Sequence, residues 1–320
     1  MSKLETLGVL AHRGGLIAEH PQLTVGVVHA VSRPTGLELE LLARRPLDRR
    51  TAEQRQADIR AGRTGPPPAP RRLLPAFDEG MELRVGWLDE DGRPHWEFGS
   101  WQGSSGDFFG GTDGPSLRTR LHFPPRYSHV PVVLAWPEIG FPETVVDLPL
   151  PDRATVERGT VSIWDAPLDG REPPDGLTYR AEDAPLDEPH VEAGRIVAAP
   201  RVLNREEHAA VVLTRVTALG DLLALEISSV ARGERAAAAS ATAFPPREPA
   251  RAPGAAIAAV HDGAATWARS HTGSAAGGYE TFEASTGYTV RRPAGSTLTL
   301  LSAWPAAGLP ARCTTVELDA

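Results

Sequence analysis

The chain has 320 residues, with 33 basic against 41 acidic side chains for a net charge of −8, 41% hydrophobic and 23% charged residues. That balance describes a globular protein with room for two ordinary domains, and it excludes a general nucleic-acid binder, which needs a basic face for phosphates. No apolar run approaches the roughly 20 residues that cross a bilayer as a helix, and the lone Cys313 excludes an internal disulfide or a thiolate metal cluster.

The N-terminus lacks the apolar core of a secretory signal, so a cytoplasmic location is expected. Leu23–Val31 reads as a strand, and Ser32-Arg-Pro34-Thr-Gly36 turns it. In Leu37–Leu41 the apolar residues alternate, which predicts leucines against a core and Glu38 and Glu40 in water. Thr51-Ala-Glu-Gln54 matches a capping box that starts a short helix, stopped by Pro66-Pro67-Pro68. Leu83–Trp96 is a second hairpin turned at Asp91-Gly92. A Gly-rich loop follows, then the apolar run Val130–Trp136 ended by Pro137, then a closing strand near Thr144–Leu150.

The second half repeats this order. Val25–Leu41 aligns without a gap on Val211–Ile227, and Leu134–Pro142 aligns on Ser302–Pro310 as A-W-P-x-x-G-[FL]-P. Asp91-Gly92 falls on Asp262-Gly263, Trp96 on Trp267 and Trp136 on Trp304. From Leu41 to Ala135 is 94 positions, but from Ile227 to Ala303 only 76, so the first copy carries a longer excursion after its hairpin. The predicted fold is mainly β: two tandem antiparallel β-sandwich units related by internal duplication, with a short helical excursion in each. Their expected bounds are 8–152 and 195–320. Between them 153–194 is an acidic, Pro-rich linker or draped extension, with room for one short strand at Thr160–Trp164. Arg44–Arg72 holds nine arginines, and the linker stretch Asp165–Glu192 nine acids; both are expected as solvated loops.

The duplication tests the chemistry. If both copies had kept an active site, its titratable residues would coincide, yet no histidine of one copy falls on a histidine of the other. There is no G-x-S-x-G and no metal-ligand spacing, so no catalytic residue, metal or cofactor is expected. Asp89-Glu90-Asp91 reads as a hairpin turn. Trp136 and Trp304 are expected to plug the end of each core. The most suggestive surface is the Gly-rich loop, where Trp101, Asp107, Phe108, Phe109 and Asp113 form a candidate ligand-binding platform.

The Pro34–Leu39 hairpin, the Gly-rich loop and the A-W-P-x-x-G-[FL]-P stretch together resemble a group of small uncharacterised actinobacterial proteins that carry one such unit. Pro142-Glu143-Thr144 keeps that group's ending, and Pro310-Ala311-Arg312 departs from it. The resemblance implies no activity. The expected function is a non-enzymatic binding or scaffold protein with a protein partner or small ligand, no nucleic acid and no membrane. Two alternatives stand beside it: a hydrolase or carbohydrate-active protein working in the first unit through Asp107, Asp113, His122 and His129, and a homo-oligomeric assembly component joined by its sheet edges.

Overall fold

The structure, a computed structural model, describes residues 5–62, 65–75, 80, 82–97, 101–104, 114–180, 194–243 and 253–319, with 101–104 and 272 described by backbone alone. It is mainly β, and it divides into two compact units, Ala11–Glu157 and Met1–Leu10 with Arg158–Ala320. No helix among the described residues is long and apolar enough to cross a membrane.

In the first unit β1 (Gly15–His20), β2 (Leu23–Arg33) and β3 (Gly36–Arg44) run as an antiparallel meander, followed by helix α1 (Ala52–Arg60). Then come β4 (Arg84–Leu88), β5 (Pro94–Glu97), β6 (Trp101–Ser104), β7 (Ser116–Phe123), β8 (His129–Trp136) and β9 (Phe141–Pro149). One sheet has the order β2-β3-β7-β6, with β1 on β2; the other is β9-β8-β4-β5. Leu37, Leu39 and Leu41 are buried as their alternation requires, in one core with Val85, Trp87, Val132, Leu134 and Trp136 of the other sheet. Ladder registers slip between Leu16 and Ala18, between Val27 and His29, and between Leu134 and Trp136.

One expectation changes here. Glu40 does not face water: it is 3% exposed, because β7 sets Arg118 and Arg120 against it. Alternation fixes the side of the sheet, and the neighbouring strand decides whether that side is wet. The helix α1 forms with its Thr51–Gln54 capping box intact, yet it buries none of its residues.

Each W-P-x-x-G stretch has a local cause. Trp136 and Trp304, 4% and 3% exposed, end β8 and a matching strand below. Pro137–Ile139 and Pro305–Ala307 then make single 3₁₀ turns, with proline at the first position where no N–H is needed. Gly140 (φ 81°) and Gly308 (φ 74°) close the turns in the left-handed region, which glycine enters without steric cost.

The chain leaves the first unit through α2 (Arg153–Gly159) and enters a segment expected as linker. Up to Arg180 that segment is part of the second unit. Val161–Ser162 pairs with Thr6–Leu7, shorter than the strand expected at Thr160–Trp164. Ile163 and Ala166 are buried against Val202, Ala210, Val212 and Val230. Arg205 donates to the carbonyls of both Ile163 and Ala166 at 2.8 Å, and Arg171 bridges to Cys313. The acidic average of the segment hides these few apolar anchors. Residues 181–193 lie outside the described residues.

Next come β10 (Thr178–Arg180), β11 (Arg195–Ala198), β12 (Arg201–Glu206), β13 (Ala209–Leu219), β14 (Leu222–Arg232) and helix α3 (Glu234–Ala243). They are followed by β15 (Ala256–His261), β16 (Ala264–Trp267), β17 (Ser270–Gly277), β18 (Thr281–Arg291), β19 (Thr297–Trp304) and β20 (Leu309–Glu317). One sheet is β11-β13-β14-β18-β17 with β12 on β13; the other is β10-β16-β15-β19-β20, where β10 runs parallel to β16. Its core draws Leu223, Leu225, Ile227 and Phe282 from the first sheet and Ile257, Leu300, Trp304 and Leu309 from the second. Registers slip between Val202 and Asn204, Leu213 and Arg215, and Ser302 and Trp304. Asp262 (φ 47°) and Gly263 (φ 72°) make the tight turn between β15 and β16 that Asp-Gly favours.

Candidate functional site

The platform expected from the sequence cannot be built from the described residues. Trp101 contributes backbone to β6, opposite Thr119. Its side chain, and Asp107, Phe108, Phe109 and Asp113 altogether, lie outside the described residues. Of the groups assigned to a hydrolytic alternative, His122 sits on β7 opposite Glu38 and His129 begins β8 in the other sheet, so they do not share a strand or a sheet. His129 Nδ1 meets Asp147 Oδ1 at 2.7 Å, with both side chains mostly exposed.

The β2-β3-β7 sheet of the first unit carries a cross-strand set of charged pairs. Glu38 pairs with Arg33 at 3.0 Å and with Arg120 at 3.5 Å, and Glu40 accepts from Arg118 Nε and, at 3.2 Å, from Arg120. Burial pushes the Glu38 carboxyl up, but His29, Arg120 and Arg33 outweigh it and hold the group below its ordinary value. In the second unit Arg215 meets Glu226 at 3.1 Å, and Ser285 donates to the same carboxylate at 3.3 Å. Glu40 and Glu226 occupy aligned positions, a correspondence that a comparison of histidines overlooks. Comparing acids along Val25–Leu41 and Val211–Ile227 finds it. With these partners the carboxylates act as cross-strand ties.

A second charged site secures the excursion of the first unit. Glu138, in the 3₁₀ turn, receives Arg84 at 2.8 and 2.9 Å and Arg71 at 2.7 Å. Burial raises its pKa, and the hydrogen bonds and charge of Arg84 overcome this to leave it lowered. Glu143, two residues into β9, accepts the backbone amides of Arg72, Leu73 and Leu74 at 2.8–2.9 Å. Part of the Arg-rich stretch is thus pinned rather than solvated. In the hairpin turn, Asp89 accepts from the amides of Asp91 and Arg93 and from His95, so that acid is engaged in holding the turn.

One concave surface combines shape with recognition chemistry. In the second unit a groove of about 580 Å³ is lined by Tyr179, Trp267, Leu301, Ala303, Pro305 and Pro310 among others. Tyr179 arrives on β10, whose parallel pairing places it opposite Ala265, and its ring stacks on Trp267 with centroids 6.0 Å apart and planes 14° apart. Tyr179 is 54% exposed, while Leu301 forms a floor at 0%. The small side chains Ala256 and Ala303 keep the floor low, and the two prolines of the W-P-x-x-G-L-P turn form a wall. Apart from the Tyr179 hydroxyl the described lining carries no ionisable group, so the surface is made to cover apolar, flat or ring-bearing matter. A second hollow of about 400 Å³, lined by Gly8, Asp169, Arg201, Glu317 and Asp319 among others, is more polar; there Arg201 is engaged by the Thr315 carbonyl at 2.7 Å. No cluster of three metal-ligating side chains occurs among the described residues.

Sequence reasoning misses this groove, because Tyr179 lies in a segment that reads as linker and Trp267 reads only as the counterpart of Trp96. No protein-family model and no curated protein matches the chain. Among solved structures, a similar chain is a conserved domain protein from Bacillus anthracis, at 9% identity over 91% of this chain and 77% of that one, with a TM-score of 0.22. A score that low carries no argument about fold or function.

Proposed function

We propose that this chain is a binding or scaffold protein made of one β-sandwich unit present twice, with its ligand seat in the groove of the second unit. The observation that carries the reading is the groove itself: an apolar floor, a stacked and accessible Tyr179–Trp267 pair, and a proline wall. Support for the duplication comes from the register slips, which fall at aligned positions: Leu16/Ala18 with Val202/Asn204, Val27/His29 with Leu213/Arg215, and Leu134/Trp136 with Ser302/Trp304. Such bulges redirect a strand at a defined residue, and unrelated sheets have no reason to share three of them. The strand orders β2-β3-β7-β6 and β13-β14-β18-β17 agree as well. The kinship to small actinobacterial single-unit proteins and a cytoplasmic setting, which suits a free, buried Cys313, belong to the same proposal.

The test is a ligand screen by NMR that follows the Trp267 indole N–H across peptides, sugars and small apolar molecules. Binding is expected to shift that resonance and to vanish in Tyr179→Ala. Turnover of any library member that persists unchanged in Tyr179→Ala would contradict the reading.

A further inference from the structure

The turn that walls the groove already carries a passenger in the first unit. There the run Pro66-Pro67-Pro68-Ala69-Pro70 lies along Trp136–Pro142: the Ala69 amide donates to the Pro137 carbonyl at 2.9 Å. A Cβ on Gly140 would stand 3.2 Å from Pro66 Cβ and from the Pro67 carbonyl oxygen, so the segment closes directly over that glycine. Proline fixes its own φ near −65° and restricts the residue before it, which biases such a run to an extended polyproline form. In the second unit the aligned Pro305, Gly308 and Pro310 line the groove.

The chemistry of the two seats differs. Glu138 and Glu143, which hold Arg71 and the three amides after it, are replaced by Ala306 and Ala311. In their neighbourhood the Arg235 guanidinium lies over Gly308. The place that Pro66 takes over Gly140 is thus filled by Arg235 over Gly308, and the part of the stretch that lines the open groove is Pro305 and Leu309–Ala311, which lacks the acids that hold arginine and has beside it, in Arg235, a donor suited to the carbonyl oxygens that a polyproline helix leaves without internal partners.

We infer that the groove of the second unit receives a proline-rich segment of a partner protein, in extended polyproline form and without basic residues. Proline rings stack on the Tyr179–Trp267 pair, and Arg235 donates to peptide carbonyls. Aromatic-lined grooves take such peptides because the ligand is already ordered before it binds. The inference rests on the duplication reading, since the alignment of the two turns carries the comparison.

The test is calorimetric titration of the full chain with a blocked proline decamer, and with a blocked glycine–serine decamer as control. Saturable binding of the proline peptide alone is expected, weakened about tenfold or more by Tyr179→Ala and by Trp267→Ala. The exposed position of Tyr179 lets that variant fold, and an unchanged melting curve checks it. The inference is overturned if the proline peptide does not bind, or binds both variants as it binds the native chain. It is overturned also if binding appears only once residues 244–252 are exchanged for a glycine–serine linker, which would make the chain's own segment the occupant. A Tyr179-dependent dimer in light scattering would assign the groove to a second copy and overturn it too. Failure of the duplication reading is a separate result: the backbones of the two units would not superpose, whatever the peptide does.

Discussion

Glu40 shows what a single residue contributes here and why its neighbours decide it. At 3% exposure its carboxylate is tied to Arg118 and Arg120, whose side chains remain 31% and 44% exposed. Removing one partner of a fully buried pair costs about 3–5 kcal/mol; with the arginines partly in water, Glu40→Ala is expected to cost about 2 kcal/mol, read from urea unfolding. Glu38 supplies the pH dependence. Its folded pKa is depressed, so its contribution is complete above the ordinary carboxylate value and is lost as pH falls through the lower folded one. Glu38→Gln is therefore expected to be less stable than the native chain at pH 7, with a difference that shrinks steadily as urea midpoints are taken into the acid range. A difference that stays constant would rule out the ion-pair origin. The sequence made the leucine face of this strand legible, because alternation is local. It did not make Glu40 legible, because Arg118 and Arg120 stand opposite it across some eighty residues of chain.

The elements show the same division. The Thr51–Gln54 capping box, the Asp-Gly hairpins and the W-P-x-x-G turns depend on residues a few positions apart, and they form where the sequence places them. The docking of 160–180 and the Tyr179–Trp267 pair depend on packing between distant segments, which composition averages away. Helix α1 buries nothing, so Thr51→Ala is expected to open that helix locally by about 1 kcal/mol. Hydrogen exchange would show it as faster α1 amides with the rest of the chain unchanged; a drop in global stability would mean that α1 is coupled to the core. The Glu143 clamp carries a stronger consequence. Glu143→Ala releases the amides of Arg72, Leu73 and Leu74, so trypsin is expected to cut after Arg71 and Arg72 at least about tenfold faster, since cleavage follows the open population. Equal cleavage rates would mean that the excursion is held elsewhere.

At the scale of the whole chain, the two units share aligned slips and aligned turns and differ in what lies on the W-P-x-x-G-x-P stretch. In one unit a proline-rich excursion is clamped there by Glu138 and Glu143; in the other Ala306 and Ala311 stand at the aligned positions and a groove with an aromatic pair adjoins the turn. Under the proposed duplication the second unit would have lost this clamp, and binding in its groove would need no reactive group common to both units. The most direct measurement is an experimentally determined structure in which Ala11–Glu157 is superposed on the second unit. Under the proposed duplication the matched strands from β1–β9 and β12–β20 coincide to within the rise of a single strand residue, about 3.3 Å, with all three register slips in step. Sheets of different strand order, or slips displaced along the strands, would contradict it.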